Sequence, residues 1–275
     1  MQSNQIRFET GLLHYKIYGS GENPLLAFHG FGQSAAYFET FGEQLGDYYT
    51  IYAFDIFFHG DSQWNDEKNP LSKSLLKKYI EQLLTDHAID KFAVCGYSMG
   101  GKFALSCVEL FPELLTQCIL IAPDGIKTSF WYSLATYPQF FRSLFRKTIN
   151  NPRTFQDITL WANRLGLVDK SILKFARGQM NTEQNRRRVY MSWVIFRLLF
   201  FDLQKLAKIL NHKQIPVLMI TGSYDRIITS DNMMKLLKHL DVYQNIVLET
   251  GHNKLIAESA AFLSKNKNEL IFREI

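Results

Sequence analysis

Gly96-Tyr97-Ser98-Met99-Gly100 constrains this chain more than any other stretch. It follows an apolar run, Phe92-Ala93-Val94-Cys95, and opens a segment of helical character from Gly101 to Leu110. A G-x-S-x-G pentapeptide between a strand and a helix is a nucleophile elbow. The serine occupies a sharp, strained turn, and glycine two residues to either side keeps side chains out of the crowded corner. Such a turn lifts Oγ above the strand edge and aims the first N–H groups of the new helix at any oxyanion formed there.

Two further loops carry residues that suit this serine. Val217-Leu218-Met219-Ile220-Thr221-Gly222 reads as a buried strand, followed by Ser223-Tyr224-Asp225. Ile246-Val247-Leu248 reads as the next strand, followed by Glu249-Thr250-Gly251-His252. Both place an acid or a base just past the carboxyl end of a strand, where ligands bind in open parallel sheets. A serine hydroxyl is a poor nucleophile until a base takes its proton, and imidazole is the side chain whose ordinary pKa suits that task. Asp225 would hold the tautomer of His252 and stabilise its imidazolium. Asp124 also follows a strand, in Ala122-Pro123-Asp124-Gly125, and competes for that role.

The rest of the chain alternates strands with helices, which means a mostly parallel sheet covered on both faces. Residues 5–8 and 12–18 read as a hairpin around Thr10-Gly11. Leu25-Leu26-Ala27-Phe28, Thr50-Ile51-Tyr52-Ala53-Phe54 and Gln117-Cys118-Ile119-Leu120-Ile121-Ala122 read as buried strands. Ser34 to Leu45 has helical spacing, with Ser34 the expected N-cap. Leu71 to His87 is a helix by period, since Leu75, Leu76, Tyr79, Ile80, Leu83 and Leu84 share a face. The three cysteines fall in the elbow strand, its helix and the following strand. Buried reduced thiols are the expectation, in keeping with a cytoplasmic protein. No apolar run reaches the ~18 residues that span a bilayer, and the first seven residues carry no apolar signal region.

Residues 125–212 interrupt the alternation with long helical periodicity. They hold 15 Lys and Arg against four acids, whereas the remainder of the chain holds 16 against 22. The net charge of +5 therefore hides a basic insert on an acidic body. Arg186-Arg187-Arg188 reads as a solvated face or as a lure for an anionic substrate. The basic residues spread over several helical segments with no nucleic-acid motif, so nucleic acid is not expected as a partner. His29 and His59 lack the spacing of a metal site and read as loop-bracing residues.

The chain resembles the α/β-hydrolase fold superfamily, in its capped branch of serine esterases and C–C hydrolases. The matching residues are His29-Gly30-Phe31-Gly32, Asp55-Ile56-Phe57-Phe58-His59-Gly60-Asp61-Ser62, the elbow, Gly222-Ser223-Tyr224-Asp225 and Gly251-His252. Their chain order, Ser98, Asp225, His252, is that of this superfamily. It usually has glycine where Phe58 stands, and some of its members draw their acid from the position of Asp124. The resemblance implies an eight-stranded, mostly parallel twisted sheet with helices on both faces. It divides the chain into an α/β core of 1–124 and 213–275 and a helical cap of 125–212.

The resemblance also implies an oxyanion hole of the Phe31 and Met99 N–H groups. Around it, His29, Gly30, Tyr97, Trp131, Trp161 and Trp193 count as substrate-contacting residues. Neither a cofactor nor a metal is expected. The expected reaction is hydrolysis of a small to medium carboxylic ester, an anionic one included, through an acyl-enzyme. Cleavage of a C–C bond in a diketo acid and a non-catalytic small-molecule binding protein are the alternatives.

Overall fold

The computed structural model describes residues 4–127, 136, 139–151, 178 and 180–266. They form two compact units. One takes in the described residues of 1–65, 72–127 and 199–275, and the other those of 66–71 and 128–198.

The first unit is built on one sheet. β1 (Gln5–Phe8) and β2 (Gly11–Tyr18) make the antiparallel hairpin, and β2 pairs antiparallel with β4 (Tyr49–Phe54). From β4 onward the neighbours run parallel: β3 (Asn23–Phe28), β6 (Phe92–Tyr97), β7 (Leu115–Ile121), β8 (Val217–Gly222) and β9 (Tyr243–Leu248). The path is β1-β2-β4-β3-β6-β7-β8-β9. A two-residue strand, β5 (Gln63–Trp64), joins at β2 as the ninth. The expected eight-stranded, mostly parallel sheet is present with that one short addition.

Parallel strands buried on both faces read as continuous apolar runs, and β6 and β8 are buried at every position. On one face Leu25, Ala27, Ile51, Ala53, Cys95, Ile119 and Ile220 pack with two helices. These are α1 (Glu39–Leu45), through Phe41 and Leu45, and α8 (Leu255–Lys265), through Leu255, Ile256, Ala260 and Leu263. The other face carries Phe28, stacked on Phe54 at 5.0 Å and on Phe103 of α3 (Gly100–Leu110) at 5.5 Å. β9 closes the sheet as an edge strand, with Tyr243 and Val247 exposed. The three cysteines are buried and unpaired, and loss of water pushes the Cys118 thiol up to about 12.

α2 (Lys73–Asp86) buries Leu76, Tyr79, Ile80, Leu83 and Leu84, with Leu75 half-buried beside them. It starts two residues later than periodicity places it, because Ser72 caps it by accepting the Leu75 N–H at 3.1 Å. The expected cap at Ser34 does not form. Residues Ala35–Phe38 make a 3-10 turn ahead of α1, and the Ala35 N–H instead donates to Asp55 Oδ1 at 2.7 Å. A buried carboxylate from β4's loop thus serves the first N–H of this turn.

The second unit contains α4 (Gln139–Asn150) and α5 (Glu183–Ile195), which pack together. Phe145 meets Tyr190 at 5.4 Å and Trp193 at 5.5 Å. α6 (Leu203–His212), within the stretch that the sequence assigns to the cap, packs against α3 in the first unit. α7 (Ser230–Leu237) follows β8. No helix among the described residues is long and apolar enough to cross a membrane.

Candidate active site

β6 delivers Ser98 at φ +50, a left-handed conformation that side chains other than glycine rarely adopt. The surrounding backbone holds it there. The Ser98 N–H donates to the Ile121 carbonyl at 3.0 Å, and the Ser98 carbonyl accepts from Gly101 at 2.8 Å and Asp124 at 2.7 Å. A Cβ at Gly100 would lie 2.0 Å from the Phe28 carbonyl oxygen. One at Gly96 would lie 2.7 Å from both the Gly100 carbonyl oxygen and the Ala104 methyl. The two glycines are therefore required by contact.

Asp225 and His252 sit on the loops after β8 and β9, and the backbone ties those loops to each other. Ser223 donates to the Leu248 carbonyl at 2.9 Å and Tyr224 to the Thr250 carbonyl at 3.1 Å. Gly222 lets Thr250 approach, since a Cβ there would lie 2.3 Å from the Thr250 carbonyl oxygen. The result brings three side chains into one line. His252 Nε2 is 3.0 Å from Ser98 Oγ, and His252 Nδ1 is 2.6 Å from Asp225 Oδ2. Asp225 is 4% exposed, and its Oδ1 accepts from the N–H groups of Ile227 and Ile228 at 2.8 and 3.0 Å. A carboxylate has no proton to give, so its Oδ2 accepts from Nδ1–H and Nε2 presents its lone pair to the serine hydroxyl.

Asp124 does not join this line. Its Oδ2 is 3.4 Å from the Nζ of Lys102, a buried lysine on α3, and its Oδ1 accepts from the Gly125 N–H at 2.8 Å. Lys102 was not singled out from the sequence. A lysine among the small and apolar residues of the first turns of the elbow helix is the signal that points to a buried partner.

The loop after β3 is braced from two sides. The Ile56 N–H donates to His29 Nε2 at 3.0 Å, so the ring proton sits on Nδ1 and is given to the Gly30 carbonyl at 2.6 Å. The Gly30 N–H is taken by Gln33 Oε1 at 3.0 Å. The ring of His59 packs edge-on against both Phe31 and His29, at 5.2 and 5.3 Å. Among the described residues no hydrogen bond occupies the N–H of Phe31 or of Met99. These are the two donors that the sequence points to.

Asp55 organises the loop after β4. It is 2% exposed, and its carboxylate accepts from Ala35 at 2.7 Å and Asp61 at 3.0 Å and meets His14 Nδ1 at 2.8 Å. Gly60 turns close over it, leaving no room for a Cβ. Phe58, where glycine is usual, stands at φ +71, so this loop keeps the left-handed turn despite its aromatic side chain. His14, Asp55 and Asp61 are also the one metal-capable group among the described residues. Asp55's oxygens there are engaged by the N–H groups of Ala35 and Asp61 and by the His14 ring.

Tyr97 is buried, with its hydroxyl on the backbone of His252. Trp193 packs on Phe145 within the second unit, and Trp131 and Trp161 lie outside the described residues. The arginine run does not present a single face. Arg186 is buried and donates to the Met180 carbonyl at 3.4 Å, while Arg187 is exposed and ion-paired with Glu67.

The family model for the alpha/beta hydrolase fold matches residues 23–258. An uncharacterized protein of Mycobacterium tuberculosis is 27% identical over 112 residues, which are 41% of this chain and 32% of that protein. The aligned part thus spans about a third of the length of that relative. Lipase 1 of Psychrobacter immobilis is 24% identical over 238 residues, 85% of this chain and 72% of that one. The solved structure of a thermophilic esterase from Thermogutta terrifontis superposes with a TM-score of 0.69 at 16% identity. It covers 96% of this chain and 97% of that one, a likeness of fold.

Proposed function

The chain belongs to the α/β-hydrolase fold family, and from that premise we propose that it is a serine hydrolase of carboxylic esters. Ser98 is its nucleophile, His252 its general base and acid, and Asp225 the acid that orients His252. The observation that carries this reading is the hydrogen-bonded line of Asp225, His252 and Ser98, at 2.6 and 3.0 Å, on a serine held at φ +50. The esterase and lipase among its relatives favour an ester over other acyl compounds.

The reaction follows from these positions. Ser98 Oγ attacks the ester carbonyl carbon as its proton passes to His252 Nε2. The negative charge that develops on the carbonyl oxygen is met by the N–H groups of Phe31 and Met99, which have no other acceptor among the described residues. Two such donors, fixed in advance, are together worth several kcal/mol, about 10²–10³ in rate for each. The tetrahedral adduct collapses when the C–O bond breaks and the imidazolium gives its proton to the leaving alcohol. Water then attacks the acyl-enzyme, with His252 again as base, and releases the carboxylic acid and free Ser98. Asp225, held by two backbone N–H groups, keeps the imidazole in one tautomer and stabilises its charged form.

The basic composition of residues 125–212 favours a substrate with negative charge, and its aromatic residues favour an apolar acyl or alcohol group. The test is a fluorophosphonate label combined with p-nitrophenyl acetate and butyrate turnover. We expect the label on Ser98 alone and turnover of both esters, with both lost in Ser98→Ala. Labelling that survives that change removes Ser98 from the mechanism. Turnover of a vinylogous diketo acid without ester turnover replaces the ester by a C–C bond on the same three residues.

A further inference from the structure

Tyr97 immediately precedes the nucleophile, and its side chain touches both of the loops that serve Ser98. Its hydroxyl donates to the backbone carbonyl of His252 at 2.7 Å. Its ring lies against the His252 imidazole, with centroids 5.1 Å apart. Its Cε1 edge faces Gly30 so closely that a Cβ on Gly30 would stand 2.8 Å away. The side chain is 2% exposed, so it cannot serve as an open wall for substrate. Burial, with Asp225 nearby, pushes the phenol pKa up and keeps it the O–H donor that this contact requires.

We propose that Tyr97 is a positioning residue that holds the base and the oxyanion loop in register around Ser98, an inference that rests on the serine hydrolase reading above. One rigid ring spaces Gly30, the residue before the Phe31 donor, from the imidazole that must reach Ser98 Oγ. The hydroxyl then fixes the height of His252 at the start of its turn. The His252 carbonyl also accepts the Leu255 N–H. Loss of the Tyr97 hydroxyl therefore leaves the turn formed but frees the imidazole to drift. A drift of a few tenths of an ångström matters at a site that depends on aligned proton transfer.

The test is Tyr97→Phe, which keeps the ring and removes the hydroxyl. We expect kcat for p-nitrophenyl butyrate to fall by roughly fivefold to thirtyfold, the range one buried hydrogen bond spans. KM should stay within about threefold, because the ground-state ester does not need the proton relay. Fluorophosphonate labelling of Ser98 should slow by the same factor. A role in folding alone would not split kcat from KM in this way. Gly30→Ala, which leaves the hydroxyl and presses the ring from the other side, should give the same signature and covers the case in which Tyr97→Phe folds poorly. The low-field NMR proton of the His252–Asp225 contact supplies a readout free of turnover, and it should broaden in both variants. Wild-type protein that neither labels nor hydrolyses esters overturns the serine hydrolase reading, while the NMR comparison still decides the role of Tyr97. A kcat within twofold of wild type, a loss carried by KM, or an unchanged resonance in both variants overturns the inference.

Discussion

Asp225 gives His252 one carboxylate oxygen and keeps the other for the backbone. Oδ2 meets Nδ1 at 2.6 Å, while Oδ1 accepts from Ile227 and Ile228. A carboxylate anchored at both ends cannot swing, so the imidazole inherits a fixed plane. Asp124, the competing acid, is held instead by Lys102 and the Gly125 N–H.

Asp225→Asn should therefore lower kcat by about 10³–10⁴, because an amide facing Nδ1 favours the wrong tautomer. Asp124→Asn should cost less than about tenfold. Steady-state kinetics on one ester decide between them, and reversed outcomes would move the acid to the loop after β7.

Ser98 at φ +50 stores strain that any side chain there shares. Ser98→Ala keeps the strain, and Ser98→Gly releases it at the cost of a more flexible unfolded chain. Glycine should be the more stable of the two by about 1 kcal/mol. That is a difference of about 2–4 °C in Tm for a chain of this size. Both should be inactive. Equal Tm values would mean that the turn is not strained in solution.

Asp55 joins three segments, through Ala35, Asp61 and His14, from a site almost without water. Asp55→Ala leaves the buried Ala35 N–H unpaired, at about 1–3 kcal/mol, while the part-buried donors of Asp61 and His14 can turn to water. The expected loss is about 1–3 kcal/mol, read as a fall in denaturant midpoint with little change in m. Asp55→Asn should lie between, since its amide retains one acceptor. A loss below ~1 kcal/mol for the alanine variant would show the loops held by other means.

Much of this was legible in the sequence because the relevant signals are local. The elbow, the strands before Asp225 and His252, and the amphipathic face of α2 each lie within a few consecutive residues. What was not legible depends on long-range contact. Ser34 looks like a cap, yet its hydroxyl makes no cap bond, and the turn it opens is tied instead to Asp55 of a different loop through the Ala35 N–H. Phe58 breaks the expected glycine pattern, yet the loop keeps its turn at φ +71, since the Asp55 contacts over-determine the backbone. Lys102 stands among small and apolar residues at the start of the elbow helix, but only the fold shows that its partner is Asp124. The run Arg186-Arg187-Arg188 looks like one patch, but a helix turns each residue by 100°, and the three meet different surroundings.

That last difference yields a separable prediction. Arg186 is buried against its own unit, so Arg186→Ala should destabilise the protein by about 1–3 kcal/mol through lost packing and an unpaired carbonyl. Arg187 pairs with Glu67 on the surface, where such pairs are worth about 0–1 kcal/mol, so Arg187→Ala should leave Tm nearly unchanged. Any steering of an anionic substrate would then rest on the summed charge of residues 125–212 rather than on this run. We expect kcat/KM for an anionic ester to fall as salt rises, since fields at distance are screened over about 8–10 Å at moderate salt. A neutral ester of similar size should respond little, and Arg187→Ala should change the difference between the two only slightly. Equal salt dependence for both esters would assign the positive charge to structure or to another partner, and would make a neutral, apolar ester the better candidate.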